Sequence, residues 1–271
     1  MLNIVTDFDG TVTDVQKEAE TYYLTYLERL AVVCSIKSDE LEGMMAMARS
    51  TILQNPTEYG WTVDGKIIAP ATSDPYLFTQ SCAMLVLKKE AGRYGVPPKE
   101  EWSELISSLF AYSYPKAGIY FREGALEYVK VLSQFSKLTV VTNSSTDSVE
   151  RKLKMLLGVD QTIKVVGNAK KYKLDPTWKE VPESTTIKGL KRPVYLRRKN
   201  YANVLTSLGD VDAVCGDIWE LDLALPERFG IYTGLILSDN TPIWEKEHYK
   251  NFENGVASNT LGEISDLFLT A

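Results

Sequence analysis

The chain has 271 residues with a formal net charge of −6, and 44% of its residues are hydrophobic. That length suits one large or two smaller domains with a real core, and the acidic balance disfavours a general binder of nucleic acid or of anionic membranes. The one histidine excludes a multi-histidine metal site, and three widely spaced cysteines without a CxxC pair predict neither a disulfide framework nor a zinc site.

The first predicted element is a strand that ends in acidic residues. A β-branched apolar run from Ile4 leads into Asp7, Phe8, Asp9 and Gly10. Side chains two positions apart share a face of a strand, so Asp7 and Asp9 start on the same side. Gly10 permits a sharp turn and a close approach of the backbone to a bound substrate. We therefore expect a site for a metal and an electrophile at the end of this strand.

Residues 15–120 are predicted to be mainly helical. Apolar periodicity or well-placed proline and glycine residues predict helices in the segments 18–34, 39–53, 75–94 and 98–112. Asp64-Gly65, between two short alternating runs, predicts a hairpin. The stretch contains neither a nucleotide-binding glycine loop nor a repeat.

From residue 121 onward, strand and helix patterns alternate, which predicts an α/β fold with a largely parallel sheet. In chain order the segments are helix 122–135, strand 138–143, helix 147–157, extended 162–172, irregular 173–190, helix 199–208, and then strands 211–215, 230–237 and 255–258 before helix 261–269. The helical stretch is thus an insertion after the first strand. We expect a core domain of residues 1–14 and 121–271 and a helical domain of residues 15–120.

Three of the predicted strands end in chemically useful groups. The first ends at Asp7 and Asp9, the second at Thr142 and Asn143, and the third at Asp217. Ligands of open parallel sheets bind beyond the carboxyl ends of the strands, so these side chains are expected to converge. Crowded carboxylates repel one another, and a bound Mg²⁺ relieves the repulsion because it prefers oxygen ligands.

Such a site suits phosphoryl transfer. One carboxylate can attack phosphorus to give an aspartyl-phosphate. The other can protonate the leaving oxygen and then activate the water that hydrolyses this intermediate. Hydroxyl, amide and lysine donors can hold the equatorial oxygens of the phosphoryl group. The acidic net charge is compatible with an anionic substrate, because a metal and a few basic residues can invert the local field.

These residues resemble motifs of the haloacid dehalogenase-like hydrolase superfamily. The first motif is similar to Asp7-Phe8-Asp9-Gly10-Thr11-Val12, the second to Val140-Val141-Thr142-Asn143, and the fourth to Gly216-Asp217-Ile218-Trp219-Glu220-Leu221-Asp222. The resemblance covers about residues 1–14 and 121–240 and implies a Rossmann-like three-layer core with a mostly parallel sheet. The point of insertion, just after the first motif, is similar to that of the family's type 1 helical cap.

The resemblance implies roles for individual residues. Asp7 is implied to be the nucleophile and a metal ligand, and Asp9 the general acid/base that also offers its backbone carbonyl to Mg²⁺. Thr142, with Asn143 beside it, is implied to bind the phosphoryl group. Asp217 is implied to complete the metal site.

Two further roles follow from the same resemblance. Asp222 is implied to orient the metal site or a water molecule from behind it. The third motif requires a lysine between the second and fourth motifs, to offset the charge of Asp7 and of the phosphate. Lys199 fits because it starts a helix, and Lys191 fits because Arg192-Pro193 follows it, as in a Lys-Pro form of the motif. We prefer Lys199 and keep Lys191 as the alternative.

The expected activity is that of a Mg²⁺-dependent phosphomonoesterase acting on a small phosphorylated metabolite through an aspartyl-phosphate. An acid at Asp9 favours this reaction over dehalogenation, in which no leaving alcohol needs a proton. The alternatives are a phosphomutase on the same scaffold and a non-catalytic binding protein. The sequence identifies neither the substrate nor an oligomeric state.

Other sequence features predict ordinary surface or core residues. His248 lies in a charged stretch and is interpreted as a surface residue. The basic residues between 188 and 199 are interpreted as a solvated surface plus one cation that faces the phosphate. No apolar run reaches the roughly 18 residues of a membrane span, and Asp7 interrupts the only early apolar run, which disfavours a signal peptide. With unpaired cysteines, these features predict a cytoplasmic protein without nucleic-acid or membrane partners.

Overall fold

The computed structural model describes residues 1–159 and 163–270. Its strands are β1 Leu2–Thr6, β2 Gly60–Val63, β3 Lys66–Pro70, β4 Ser136–Val141, β5 Lys164–Val166, β6 Ser184–Thr185, β7 Val194–Tyr195, β8 Ala213–Gly216, β9 Tyr232–Ile236 and β10 Gly255–Ser258. Its α-helices are α1 Val15–Cys34, α2 Ser38–Gln54, α3 Pro75–Lys89, α4 Trp102–Ser113, α5 Ala125–Phe135, α6 Thr146–Leu157, α7 Lys199–Ser207, α8 Ala224–Arg228, α9 Ile243–Tyr249 and α10 Leu261–Thr270. A π-helical turn, Trp219–Leu223, precedes α8.

Six strands form one parallel sheet in the order β10-β9-β8-β1-β4-β5. β1 lies between β4 and β8, so that Thr6 aligns with Val140 on one side and with Cys215 on the other. The chain therefore crosses from one side of β1 to the other after β5. Such a reversal of strand order opens a crevice at the carboxyl edge of the sheet. The predicted α/β class and the mostly parallel sheet are confirmed.

The two faces of the sheet pack against different helices. Ile4 and Val140 belong to a core cluster with α5, α6 and α10, whereas Val5 and Val141 belong to a second cluster with α7, α8 and α9. Adjacent residues of each strand thus enter opposite cores, which explains the continuous apolar runs in the sequence. The result is the three-layer arrangement that the sequence predicted.

Two compact units make up the described chain. The α/β unit contains Met1–Asp14, Thr62–Ala69 and Phe121–Ala271, and the helical unit contains Val15–Trp61 and Pro70–Tyr120. The helical unit has its own core, built from the buried faces of α1, α2, α3 and α4. The sequence had assigned all of residues 15–120 to the helical domain, but residues 62–69 group with the α/β unit.

The structure explains why that hairpin groups with the α/β unit. Buried Arg198 donates a hydrogen bond from Nη2 to the carbonyl of Ile68 at 3.0 Å. Lys66 forms an ion pair with Glu183 at 2.8 Å. The hairpin turn itself is the predicted one, with positive φ at both Asp64 and Gly65.

Some predicted boundaries differ from the structure. The helix predicted over 75–94 ends at Lys89, because residue 92 adopts a left-handed φ of +85°. The helix predicted from 122 begins at Ala125. In the segment predicted as extended over 162–172, residue 162 lies outside the described residues, and the strand covers only Lys164–Val166. α8 and α9 were not predicted as helices. In the part of the chain that the structure describes, each helix is too short or too polar to span a membrane.

Candidate active site

The first strand ends in a tight turn that the sequence dictates. The amides of Val12 and Thr13 both donate to the carbonyl of Phe8, at 2.8 and 3.1 Å. The Gly10 amide donates to Thr13 Oγ1 at 3.1 Å, and Gly10 itself has a φ of +83°. A residue with a side chain would be strained in that conformation. The turn keeps Asp7 and Asp9 at the carboxyl edge of β1 while Phe8 is buried in the core.

Asp7 contacts a buried lysine that the sequence analysis did not select. Lys171 Nζ donates to Asp7 Oδ1 at 2.7 Å and to Asp222 Oδ1 at 2.7 Å. All three side chains are buried, and that of Lys171 is 1% exposed. Charge-assisted bonds of this length are strong, and burial reduces their screening by solvent. Lys171 therefore bridges two carboxylates that would otherwise repel each other.

The loop after β5 carries Lys171 to this position. Its backbone pairs with the loop after β4: the amide of Ala169 donates to the carbonyl of Thr142 at 2.9 Å, and that of Asn168 donates to the carbonyl of Ser144 at 2.8 Å. Asn143 Oδ1 accepts a hydrogen bond from the Lys171 amide at 2.8 Å. Asn143, predicted to bind substrate, thus holds the backbone of the lysine.

Lys199 and Lys191 are not the lysine beside Asp7. Lys199 Nζ lies 4.0 Å from Asp175 Oδ2, and its side chain is 48% exposed. Lys191 is also exposed. The prediction of Lys199 is therefore wrong, and Lys171 takes its place as the candidate. The reason is position: α7 starts on the surface, whereas the loop after β5, a neighbour of the Thr142 loop, reaches the site.

Asp9 is held by a hydroxyl and by a second lysine. Thr142 Oγ1 donates to Asp9 Oδ2 at 3.3 Å, and Lys152 Nζ lies 3.3 Å from Asp9 Oδ1. Lys152 projects from α6, and its side chain is only 6% exposed. The predicted phosphate-binding Thr142 therefore contacts the predicted acid/base in this structure. Lys152 was not among the residues predicted to form the site.

The acidic residues of the fourth motif reach the same edge. One carboxylate oxygen each from Asp7, Asp217 and Asp222 lies within 4.8 Å of the others. Thr11 Oγ1 is 3.3 Å from both Asp7 Oδ2 and Asp217 Oδ1. Because one hydroxyl donates one proton, it can satisfy only one of these oxygens at a time.

Two glycines make room for these carboxylates. A Cβ atom on Gly10 would lie 2.1 Å from Asp217 Oδ2, and one on Gly216 would lie 2.4 Å from the Cβ of Asp222. Both distances are far below van der Waals contact. Gly10 and Gly216 are therefore required by the position of the acids as well as by the backbone.

The electrostatics of the site favour added positive charge. Burial raises the pKa of Asp7 to about 7, against the lowering influence of Lys171, and the nearby Asp222 and Asp9 raise it further. Burial alone would lower the pKa of Lys171, but Asp222 and Asp7 raise it above its ordinary value, so this lysine is charged. Two lysines, Lys171 and Lys152, face four carboxylates, and a divalent metal would favour the ionised form of Asp7.

The donor set fits Mg²⁺. Mg²⁺ takes hard oxygen ligands, commonly one or two carboxylates together with water and phosphate oxygens. Asp222 is already committed, since its Oδ1 accepts from Lys171 and its Oδ2 accepts from the Ile218 amide at 3.2 Å. Asp7 and Asp217, each of which has an oxygen only 3.3 Å from the shared Thr11 hydroxyl, are the candidates for direct ligands. The carboxylate of Asp9 is turned to Thr142 and does not belong to the acidic trio.

A further residue that sequence reasoning missed is Arg122. Its Nε donates to the carbonyl of Gly10 at 2.6 Å, and its Nη1 donates to the carbonyl of Leu237 at 3.2 Å. It thus links the turn after β1 to the end of β9. A usable signal existed for Lys171, which follows a strand as Asp7 and Thr142 do, whereas no local pattern marks Arg122 or Lys152.

Comparison with known proteins identifies the fold. The sequence matches no protein-family model and no curated protein. Among solved structures, a HAD phosphatase from Thermococcus onnurineus is similar over 98% of this chain and 97% of its own, with 14% identity and a TM-score of 0.52. The putative HAD-hydrolase YfnB from Bacillus subtilis, whose structure is bound to magnesium, is similar over 98% of both chains, with 13% identity and a TM-score of 0.54.

A putative beta-phosphoglucomutase from Thermotoga maritima is similar over 100% of both chains, with 15% identity and a TM-score of 0.51. At such low identities the likeness concerns the fold. The chain has the fold of the haloacid dehalogenase-like hydrolases, as its first motif predicted.

Proposed function

We propose that this protein is a Mg²⁺-dependent phosphomonoesterase that hydrolyses a small phosphorylated metabolite through an aspartyl-phosphate on Asp7. The observation that carries the proposal is the contact of Lys171 with both Asp7 and Asp222 at 2.7 Å, at the edge where Thr142 and Asp9 also meet. A nucleophile, a buried cation, a hydroxyl donor and a second acid are what phosphoryl transfer needs.

In the first step, Asp7 attacks phosphorus. The bond between its carboxylate oxygen and phosphorus forms while the ester oxygen leaves with the bonding electron pair. Asp9 gives its proton to that leaving oxygen, so that an alcohol departs. Lys171 and the Thr142 hydroxyl stabilise the negative charge on the phosphoryl oxygens.

In the second step, water hydrolyses the aspartyl-phosphate. Asp9, now ionised, takes a proton from the water while the oxygen of the water bonds to phosphorus. The bond between phosphorus and Asp7 breaks, which returns Asp7 as a carboxylate and releases inorganic phosphate. Asp9 ends the cycle protonated, ready for the next substrate.

Asp7 and Asp217, with the backbone carbonyl of Asp9, would hold Mg²⁺. The bound ion would supply positive charge that draws the substrate phosphate in and offsets its repulsion by Asp7. Asp222 would position Lys171 and the turn that carries Asp217. We also propose that the helical unit, Val15–Trp61 with Pro70–Tyr120, serves as the cap domain that the family resemblance implies and selects the substrate.

Phosphate release from p-nitrophenyl phosphate tests the proposal. We expect activity with Mg²⁺ that EDTA removes, and a loss on the order of 10³-fold or more in Asp7→Asn. Asp266→Asn, an exposed carboxylate on α10, is the matched control and should retain the wild-type rate. Activity that survives EDTA, or that survives Asp7→Asn, would overturn the mechanism.

Esters with different leaving groups distinguish the proposed role of Asp9, protonation of the leaving oxygen, from that of Asp7, attack on phosphorus. p-Nitrophenolate leaves without a proton, whereas an alkoxide such as that of glycerol phosphate needs one. Asp9→Asn should therefore slow hydrolysis of the alkyl ester more than hydrolysis of the aryl ester, by about tenfold or more. Equal losses for both esters would remove Asp9 from the role of general acid.

The nature of the acceptor separates a phosphatase from a mutase. A panel of phosphorylated metabolites should release inorganic phosphate from at least one member at a rate that Asp7→Asn abolishes. Isomerisation of a sugar monophosphate that depends on added bisphosphate would instead identify a phosphomutase. A protein that binds these compounds without turnover would identify a non-catalytic binding protein.

A further inference from the structure

A cavity of about 560 Å³ lies in the α/β unit and has a lining separate from the proposed catalytic residues. Its wall combines three rings with two cations and hydroxyl groups: Trp219, His248, Phe252, Lys188, Arg228 and Thr186. The volume falls within the roughly 300–1,000 Å³ of small-molecule sites. The segment 173–190 and helix α9, which the proposed reaction does not use, build much of this wall.

The half-buried carboxylate of Glu227 holds the aromatic part of the wall in place. Trp219 Nε1 donates to Glu227 Oε1 at 2.7 Å, and His248 Nε2 lies 3.0 Å from Glu227 Oε2. The His248 ring stacks on Phe252 with centroids 5.1 Å apart and planes 24° apart, and its centroid is 4.9 Å from that of Trp219. His248 is therefore a fixed wall residue rather than a freely solvated one. A wall fixed before binding reduces the entropy that a ligand must lose.

The uncompensated charge of the cavity is positive. Glu247, which also lines it, forms an ion pair with Lys250, so in the described lining the carboxylate of Glu227 stands against the two cations. Lys188 and Arg228 have exposed side chains, and within residues 1–159 and 163–270 neither is in an ion pair. The described lining thus places two unpaired cations beside a fixed aromatic surface.

We propose that this cavity binds a planar aromatic anion of the size of a nucleoside monophosphate. Its ring system would pack on His248 and Phe252, since aromatic rings favour stacked contacts. Its anionic group would bind Arg228 and Lys188, with the Thr186 hydroxyl as a further donor. The site is distinct from the phosphomonoesterase site and stands whether or not that activity is found.

The single histidine makes the test specific, because its ring gives one signal in a protein labelled with ¹³C-histidine. The Asp7→Asn variant, in EDTA, is titrated with adenosine monophosphate, so that the probe is not hydrolysed. We expect the His248 ring signal to shift and to saturate at one ligand per chain. Adenosine alone and inorganic phosphate alone should each bind at least about tenfold more weakly, since each lacks one half of the recognised chemistry.

A double variant, Lys188→Gln with Arg228→Gln, should weaken binding of adenosine monophosphate at least about tenfold and leave p-nitrophenyl phosphate hydrolysis unchanged. Lys164→Gln, on the exposed start of β5, is the matched control and should bind as the parent does. Any one of four results would overturn the proposal. These are an unshifted His248 signal, adenosine that binds as tightly as adenosine monophosphate, inorganic phosphate that does so, and undiminished binding by the double variant. The readout is binding by an inactive variant, so its failure is separable from failure of the proposed function.

Discussion

Lys171 brings its positive charge into a buried space that holds two carboxylates at hydrogen-bonding distance. Burying a lysine is costly unless its charge is paired, and here Asp7 and Asp222 pair it. In the proposed reaction, the same cation would lie where the phosphoryl group approaches Asp7. Its structural and its proposed catalytic roles thus use one set of contacts.

Replacing Lys171 with methionine separates charge from volume. We expect Lys171→Met to lower kcat/KM for p-nitrophenyl phosphate on the order of 10²–10³-fold, because the negative charge of the attacked phosphoryl group loses a buried cation. The measurement is initial rate with saturating Mg²⁺. Lys199→Met, the surface lysine that the sequence favoured, is the matched control and should lie within about twofold of wild type. Equal effects of the two substitutions would contradict the role of Lys171.

Residue type and strand position were sufficient to find most of the acidic site. Asp7, Asp9 and Asp217 each follow an apolar strand, and the rule that parallel strands end at one edge brings them together. Lys171 was missed because β5 ends at Val166, whereas the extended segment was predicted to run to residue 172 and so placed Lys171 inside it. The contacts of Lys152 and Arg122 depend on how α6 and the turn after β1 pack, which no local pattern encodes.

At the scale of secondary-structure elements, the turn after β1 and the end of β8 have to fit closely. Asp217 lies so near Gly10 that an added Cβ would be 2.1 Å from its Oδ2. Either the turn or the carboxylate must move if Gly10 acquires a side chain. The turn that follows the proposed nucleophile and the loop that carries Asp217, a proposed metal ligand, are therefore sterically coupled.

Gly10→Ala tests this coupling. We expect at least about tenfold weaker Mg²⁺ binding, measured by isothermal titration, because Asp217 is displaced. Backbone strain at a positive φ should also lower the free energy of unfolding by about 1–3 kcal/mol. Gly262→Ala is the control, since Gly262 lies in α10 with open space around it. It should leave Mg²⁺ binding unchanged, and unchanged binding in Gly10→Ala as well would refute the coupling.

The hairpin of residues 62–69 is attached to the loop of the buried lysine through one side chain. Arg198 donates from Nη1 to the carbonyl of Lys171 at 2.8 Å, from Nη2 to the carbonyl of Ile68 at 3.0 Å and from Nε to the carbonyl of Tyr195 at 3.0 Å. A planar guanidinium can reach three acceptors in this way, and an ammonium group cannot. Burial lowers the pKa of Arg198 to about 10, which shows how little water its charge retains.

Arg198→Lys should therefore loosen the hairpin while keeping the charge. We expect faster amide hydrogen exchange in residues 66–69 and in the loop around Lys171, as local opening becomes easier. Arg197→Lys is the control, because the Arg197 side chain makes longer hydrogen bonds, at 3.4 Å to the carbonyl of Val181 and at 3.3 Å to that of Pro176. Exchange in residues 66–69 that is equally slow in both variants would count against the attachment.

Most helices and strands could be predicted from the sequence, but the long-range contacts between them could not. Asp64-Gly65 encodes its own turn, so the hairpin was predicted correctly. Its assignment to the α/β unit depends on Arg198, more than a hundred residues away. The π-helical turn Trp219–Leu223 and the short helices α8 and α9 carry too few residues for a periodic signal.

At the scale of the whole molecule, the fold concentrates acidic charge at the carboxyl edge of the sheet. Burial and the neighbouring carboxylates raise the pKa of Asp7 from an ordinary 3.8 to about 7 in the metal-free protein. Between these values the folded chain retains a proton that the unfolded chain has lost. The contribution of Asp7 to the free energy of unfolding is thus fully present below pH 3.8, and it is lost as pH rises toward 7.

Unfolding experiments in EDTA should reveal the loss of stability that accompanies ionisation of Asp7, and this loss should be absent in Asp7→Asn. We expect the free energy of unfolding of wild type, measured with urea, to fall relative to Asp7→Asn as pH rises from 5 to 7. The slope should be at most about 1.4 kcal/mol per pH unit, and the difference should level off about one unit above the pKa of Asp7, at about pH 8. Mg²⁺ should restore wild-type stability increasingly toward high pH, because it favours the ionised carboxylate. The control, Asp266→Asn, should have the same pH dependence as wild type. If the difference between wild type and Asp7→Asn stays constant from pH 5 to 8, Asp7 does not titrate in the folded protein over this range.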